Sequence, residues 1–199
     1  MFRHPEALAA ELFGRDGEIA LADAIRAAGA PDAVTSSGAL AEAVERVPAV
    51  DDDGRRAQYR LFHGALAALA RGAHDPRLIL HSFLLRALAQ AGWAPTFDRC
   101  ARCGAPGPHT ALHVGLGGAV CPECRPPGAA HPAPETFDLL SALAAGDWAT
   151  ADASGAPARR EAAGIVAAYL QFHAERRLVS LSVLDQDLGL PAPRVERRP

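Results

Sequence analysis

The chain has 199 residues, 49% of them hydrophobic and 22% charged, with a formal net charge of −3 and a pI near 6.2. That apolar content suffices for a real core and excludes disorder throughout. The longest apolar stretches, such as Ala65–Ala70, fall far short of the roughly 20 residues a bilayer-spanning helix needs, and no basic-then-apolar leader opens the chain, so a soluble cytoplasmic protein is expected.

All 20 cationic residues are Arg, a compositional bias to which no functional weight attaches. Residues 1–54 carry 4 Arg against 11 acidic residues, 55–125 carry 9 against 3, and 126–199 carry 7 against 9. The middle is basic and the flanks acidic. An overall acidic chain is a poor candidate for strong duplex binding, whereas a basic middle suits an acidic peptide or a few phosphates.

The first 33 residues are Ala-rich, with short helices expected at Pro5–Leu12 and Glu18–Ala28 and no strand pattern. Ser36 or Ser37 offers an N-cap for a helix ending near Val47, with Leu40, Val44 and Val47 on one face. Pro48 and the run Asp51, Asp52, Asp53, Gly54 then break it, and the carboxylates favour the start of the next helix. Over Arg55–Arg71, Tyr59, Phe62, Leu66 and Leu69 recur at helical spacing, and Gly72 stops the pattern. Asp75 caps a further helix with Pro76 at its first position, and Gly92 ends it. The short connection between these two helices predicts an antiparallel hairpin, closed at its end by Trp93 and Phe97.

Residues 100–124 change character, with a small hairpin expected within His113–Val120, followed by a Pro/Gly/Ala linker from Pro126 to Pro134. Helices are expected at Glu135–Ala145 and Arg159–Leu178, with a loop at Asp152–Pro157 and a frayed tail from Gln186. The fold class is therefore mainly α, a helical bundle interrupted by a four-cysteine metal-binding ribbon. Its expected organisation is an N-terminal segment 1–33, a helical domain 34–98, a metal-binding insertion and linker 99–133, returning helices 134–185, and a tail 186–199.

All four cysteines fall in two pairs, Cys100-x-x-Cys103 and Cys121-x-x-Cys124, separated by 17 residues. Two residues between thiolates let one tight turn aim both sulfurs at a single ion, and two such turns complete a tetrahedron. Zinc is the expected metal, with a rubredoxin-like iron site or two disulfides as the alternatives. Four thiolates leave no open position for water, so the ion would fold a coreless segment rather than catalyse. Arg99, Arg102 and Arg125 offset the local negative charge, while His109 and His113 are read as ordinary surface residues. No nucleophile elbow surrounds Ser141, Ser180 or Ser182, and Gly115–Gly118 lacks the phosphate-loop pattern. His63, His81 and His173 lie on expected helices without positioned partners, so no enzyme activity is expected.

Phe83–Pro95 (FLLRALAQAGWAP), Phe97–Pro106 (FDRCARCGAP) and Gly117–Arg125 (GGAVCPECR) closely resemble the actinobacterial type of the RecO family of DNA repair mediators. The likeness continues in order through Pro134–Leu140, Gly146–Trp148 and Val166–Leu181, covering about Val34–Leu184. The resemblance implies recombinational DNA repair, a nucleoid-associated cytoplasmic location, and three protein partners: the acidic, Phe-ended tail of single-stranded DNA-binding protein, RecR, and, through loading, RecA. Family members begin with an OB-fold, for which residues 1–33 are too few, so strand annealing is not expected of this chain and direct DNA contact should be weak. Arg77 and Arg86 with Phe62 and Phe83 are the candidates for holding the tail. Arg159, Arg160, Arg176 and Arg177 are possible phosphate contacts, with solvated helix ends as the preferred reading. Rival functions are a zinc-ribbon DNA-binding regulator and a CxxC dithiol oxidoreductase.

Overall fold

The computed structural model describes residues 31–46 and 52–174. The helices expected before residue 31, Val47, Arg176, Arg177 and the tail lie outside the described residues. Among those described, the molecule is helical except for one two-stranded sheet, and no helix is long and apolar enough to cross a membrane.

Helix α1 spans Pro31–Arg46 and starts five residues before the expected Ser36 cap. Pro31 and Asp32 supply the start, because a helix N-terminus tolerates a missing N–H and favours a carboxylate. Ser36 is instead an interior, fully buried residue. Helix α2, Asp52–Arg71, begins inside the acidic run that the sequence suggested as a breaker. Asp52 and Asp53 are its first two residues. Phe62, Leu66 and Leu69 form its buried stripe.

Helix α3, Pro76–Gln90, is capped as expected: the Asp75 carboxylate accepts the Arg77 N–H at 2.9 Å, with Pro76 at the first position. Both ends of the α2–α3 hairpin stop in the same way. The Gly72 and Ala73 N–H groups donate to the Leu69 and Ala68 carbonyls, and the Gly92 and Trp93 N–H groups donate to those of Ala89 and Leu88. Gly72 and Gly92 have φ of 58° and 86°, the left-handed geometry this double bond requires. Phe62 and Phe83 meet edge to face across the hairpin, centroids 6.2 Å apart.

Helix α4 spans Pro134–Ala145 and helix α6 spans Ala156–Ala174; both pack on α3, which also touches α1 and α2. Surrounded in this way, α3 buries Leu78 to Leu85 without interruption, as a helix that is apolar nearly all round must. Between α4 and α6 lies a short helix α5, Trp148–Ala153, so the loop expected at Asp152–Pro157 shrinks to Ser154 and Gly155. The Asp147 carboxylate caps α5 through the Thr150 N–H and hydroxyl, at 3.3 and 2.6 Å. Glu161 on α6 likewise caps α4, accepting the Ala133 N–H at 3.0 Å and the Thr136 hydroxyl.

Strands β1, Ala111–His113, and β2, Gly118–Val120, form an antiparallel hairpin around a single 3₁₀ turn. The stretch expected to be a plain linker contributes a third edge, since Ala130 exchanges both backbone bonds with Leu112 at 2.8 and 2.9 Å. On the other side Thr96 donates to the Gly117 carbonyl and accepts from Ala119. Gly118 permits that approach: its φ is 137°, and a Cβ there would collide with the Thr96 backbone.

Candidate metal centre and cation-rimmed groove

The two Cys-x-x-Cys turns are built differently. In the first, Gly104 at φ 76° turns its N–H onto the Cys100 carbonyl at 2.8 Å, and the Cys100 N–H reaches the Ala105 carbonyl at 2.8 Å. The second closes more simply, with the Cys124 N–H on the Cys121 carbonyl at 3.1 Å and Arg125 where the first turn has Gly104. The Ala101 N–H then donates to the Ala119 carbonyl, stitching the first turn to β2. As a result the four sulfurs of Cys100, Cys103, Cys121 and Cys124 all lie within 4.8 Å of one another.

That geometry fits a metal ion. Two sulfurs bound at ~2.3 Å on the corners of a tetrahedron stand ~3.8 Å apart; Cys103 Sγ and Cys121 Sγ are 3.7 Å apart. All four cysteines are free, and 3.7 Å is far beyond a disulfide bond, so the paired-disulfide alternative does not describe this cluster. The electrostatics agree. Backbone N–H groups of Cys121, Cys103 and Arg102 point at the Cys100 sulfur and hold its thiol down at about 6. Cys121 is pushed up to about 12, first by its hydrogen bond to the Glu123 carboxylate and then by burial. A dication among the four sulfurs would favour the ionised form of each.

The cluster is also half of its lobe's own small core. Cys100 and Cys121 are buried together with only Ala111 and Val120, fringed by Ala105, Leu116, Cys124 and Ala129. His109 Nε2 lies 2.9 Å from the Ala105 carbonyl and serves the lobe's backbone. The lobe's 3₁₀ turn rests on α6, with Gly115 beside Phe172 and Gly117 beside Tyr169. On α6 itself His173 meets Tyr169 at 4.8 Å and Phe172 at 5.1 Å and stacks at 5.3 Å on Trp93, just past the end of α3. Burial pushes the Tyr169 hydroxyl up to about 12.

The other singled-out residues separate into interior and surface groups. Phe62 and Phe83 are each 1% exposed, core residues rather than surface contacts. Arg77 is drawn into an ion pair with Asp32 at 3.1 Å, while Arg86 is exposed and lies over Gly146 at the end of α4. Arg159 is an internal clamp. Its guanidinium donates to Asp75 at 3.1 Å, to the Asp152 carbonyl at 2.8 Å and to both oxygens of Ser154, leaving little of it for a phosphate. Arg160 is exposed.

A groove of about 630 Å³ runs between α2 and α3. Leu61, Ala65 and Ile79 floor it, with the Phe83 ring beneath, and Arg60, Arg71 and Arg86 stand on its rim, all three exposed. One end is walled by Trp148, whose ring stacks on His74 at 4.1 Å and 8°, with His74 Nδ1 2.7 Å from Asp152. Of these, Arg86 and Phe83 were visible as candidates in the sequence. Arg60, Arg71 and Trp148 were not, because three separate elements bring them together; the segmental excess of Arg was their only trace.

Fold and cluster together define a helical protein with a cation-rimmed groove and four clustered cysteines that could hold a metal ion. Residues 29–182 match the family model described as "Recombination protein O C terminal", and the chain belongs to the RecO family of DNA repair proteins. It is 47% identical over 152 residues to a DNA repair protein RecO of Thermobifida fusca, covering 76% of this chain and 63% of that one. To those of Streptomyces coelicolor and Streptomyces griseus it is 49% identical over 154 residues, covering 76% of this chain and 61% of each relative. The chain thus spans just over three fifths of the length of these relatives. No solved structure matches it.

Proposed function

We propose that this chain is a non-enzymatic mediator of recombinational DNA repair that works by holding protein partners, with one zinc ion folding its four-cysteine lobe. Zinc is the reading because four converging thiolates with a near-tetrahedral sulfur spacing are its preferred structural set, and no open position is left for chemistry. The observation that carries the partner reading is the groove between α2 and α3: apolar at its floor, cationic along its rim. An acidic peptide ending in an aromatic residue meets both demands, since ring burial provides affinity and Arg pairs with carboxylates in bidentate fashion. The tail of single-stranded DNA-binding protein has that chemistry in this family. RecR, and RecA loading through it, are the remaining partners the family reading assigns. Of the Arg residues first considered for phosphate, only Arg160 keeps an exposed head among those described, so direct DNA binding stays subordinate.

The test is fluorescence anisotropy of the full chain with a labelled acidic peptide ending in Phe, beside the same peptide ending in Ala and a single-stranded oligonucleotide. The Phe-ended peptide should bind tightest, and Arg71→Glu with Arg86→Glu should weaken it by about tenfold or more, as expected for lost carboxylate pairs. Absence of peptide binding, or binding that both substitutions leave unchanged, would overturn the reading.

A further inference from the structure

The four cysteine residues are not equally sheltered. Cys100 and Cys121 are 2% and 4% exposed and Cys124 is half-buried, whereas Cys103 stands at the surface. The most exposed cysteine is also in contact with one of the most buried: Cys103 Sγ lies 3.7 Å from Cys121 Sγ, across the two turns rather than within either. From this juxtaposition we infer that Cys103 is a peroxide-sensitive site, whose oxidation links it to Cys121, expels the metal and loosens the lobe's turn on α6. The inference rests on the metal reading above.

The chemistry is balanced by one molecule of hydrogen peroxide. The Cys103 thiolate attacks a peroxide oxygen; an S–O bond forms, the O–O bond breaks, and the departing hydroxide takes a proton from the buffer acid, leaving a sulfenic acid. The Cys121 thiolate then attacks the Cys103 sulfur, forming the S–S bond and expelling the second hydroxide, which is protonated in turn. Two thiolates have given two electrons, and the peroxide has become two waters. The ion, reduced from four ligands to two, passes to water or a chelator.

The consequence falls on the part of the lobe around the cysteines. Of the four buried residues in the lobe's own small core two are cysteine ligands, whereas Leu112 and Ala119 on the same strands belong to the main core. A segment folded by its metal loses its order with it. The contacts of the Gly115 and Gly117 turn on Phe172 and Tyr169 depend on that order. Phe172 is already 57% exposed and would lose its remaining cover. Reduction and resupply of the metal reverse the change.

The experiment uses the full, metal-loaded chain with an excess of hydrogen peroxide. Metal release is followed with a chromogenic chelator, sulfenic acid is trapped with dimedone, and disulfides are mapped by mass spectrometry of proteolytic fragments. The expected result is loss of the single bound ion, first labelling at Cys103, and a Cys103–Cys121 cross-link that dithiothreitol reverses. Cys103→His keeps a metal-binding nitrogen while removing the oxidisable sulfur, and should hold the ion against peroxide several-fold longer than the parent chain. Retention of the metal in peroxide, first labelling at another cysteine, or a link within either Cys-x-x-Cys pair would overturn the inference. Purified chain that carries no metal before peroxide is added would overturn the metal reading itself.

Discussion

His81 gives the sharpest prediction about stability. It sits on α3, 6% exposed, with Nδ1 buried and without a hydrogen-bond partner among the described residues. Burial pushes its pKa down from 6.5 to about 4, with Asp75 opposing and Arg77 assisting. The folded chain therefore keeps His81 neutral while the unfolded chain takes up a proton below 6.5. Stability is complete above that value and is lost as the pH falls from 6.5 towards 4. At 1.36 kcal/mol per pKa unit, the loss over that window is about 3 kcal/mol. Urea unfolding of the chain and of His81→Leu, followed by circular dichroism between pH 7.5 and pH 4, separates this from the titration of carboxylates common to both proteins. The parent chain should lose about 3 kcal/mol more than the variant across the window, the difference between slopes being the readout. Parallel pH profiles for the two proteins would refute the reasoning.

Other substitutions test the joints of the fold. Gly118→Ala puts a Cβ into the Thr96 backbone at a φ of 137°, and should cost several kcal/mol and lower metal retention as measured by mass spectrometry of the native protein. Ser82→Ala removes a hydroxyl that donates at 2.7 Å to the Leu143 carbonyl in the last turn of α4; calorimetry should show about 1–3 kcal/mol lost, because a buried helix-end acceptor is left bare. Arg159→Ala should lower the melting temperature through its lost bonds to Asp75, Asp152 and Ser154 while leaving affinity for single-stranded DNA unchanged. A fall in DNA affinity at unchanged stability would restore Arg159 as a phosphate contact.

What the sequence made legible is what short-range chemistry determines. Asp75-Pro76 and Gly92 bracket α3 because a cap, a fixed φ and a left-handed stop each act within a turn. The cysteine turns were equally plain, since two residues between thiolates constrain only local backbone. The early start of α1 was missed because Ser36 has the chemistry of a cap but lies on the side that packs inward, a choice made by tertiary burial. Helix α5 was missed because six residues carry too little periodicity, although Asp147 with Thr150 three positions on is a capping pattern in its own right. Arg159 was beyond reach: Asp75 is 84 residues away, and a dibasic pair at a helix start looks the same whether it is solvated or clamped. The groove was half visible, with its charge in the composition and its assembly in the packing of α2, α3 and α5.

The central claim is that four sulfurs surround one zinc ion and thereby order the lobe that rests on α6. Zinc K-edge absorption spectroscopy of the purified chain tests it most directly. The account predicts one zinc per chain with four sulfur neighbours at about 2.3 Å and no nitrogen in the first coordination sphere. A mixed sulfur and nitrogen set, implicating His109 or His113, or a folded chain that binds no metal, would contradict it.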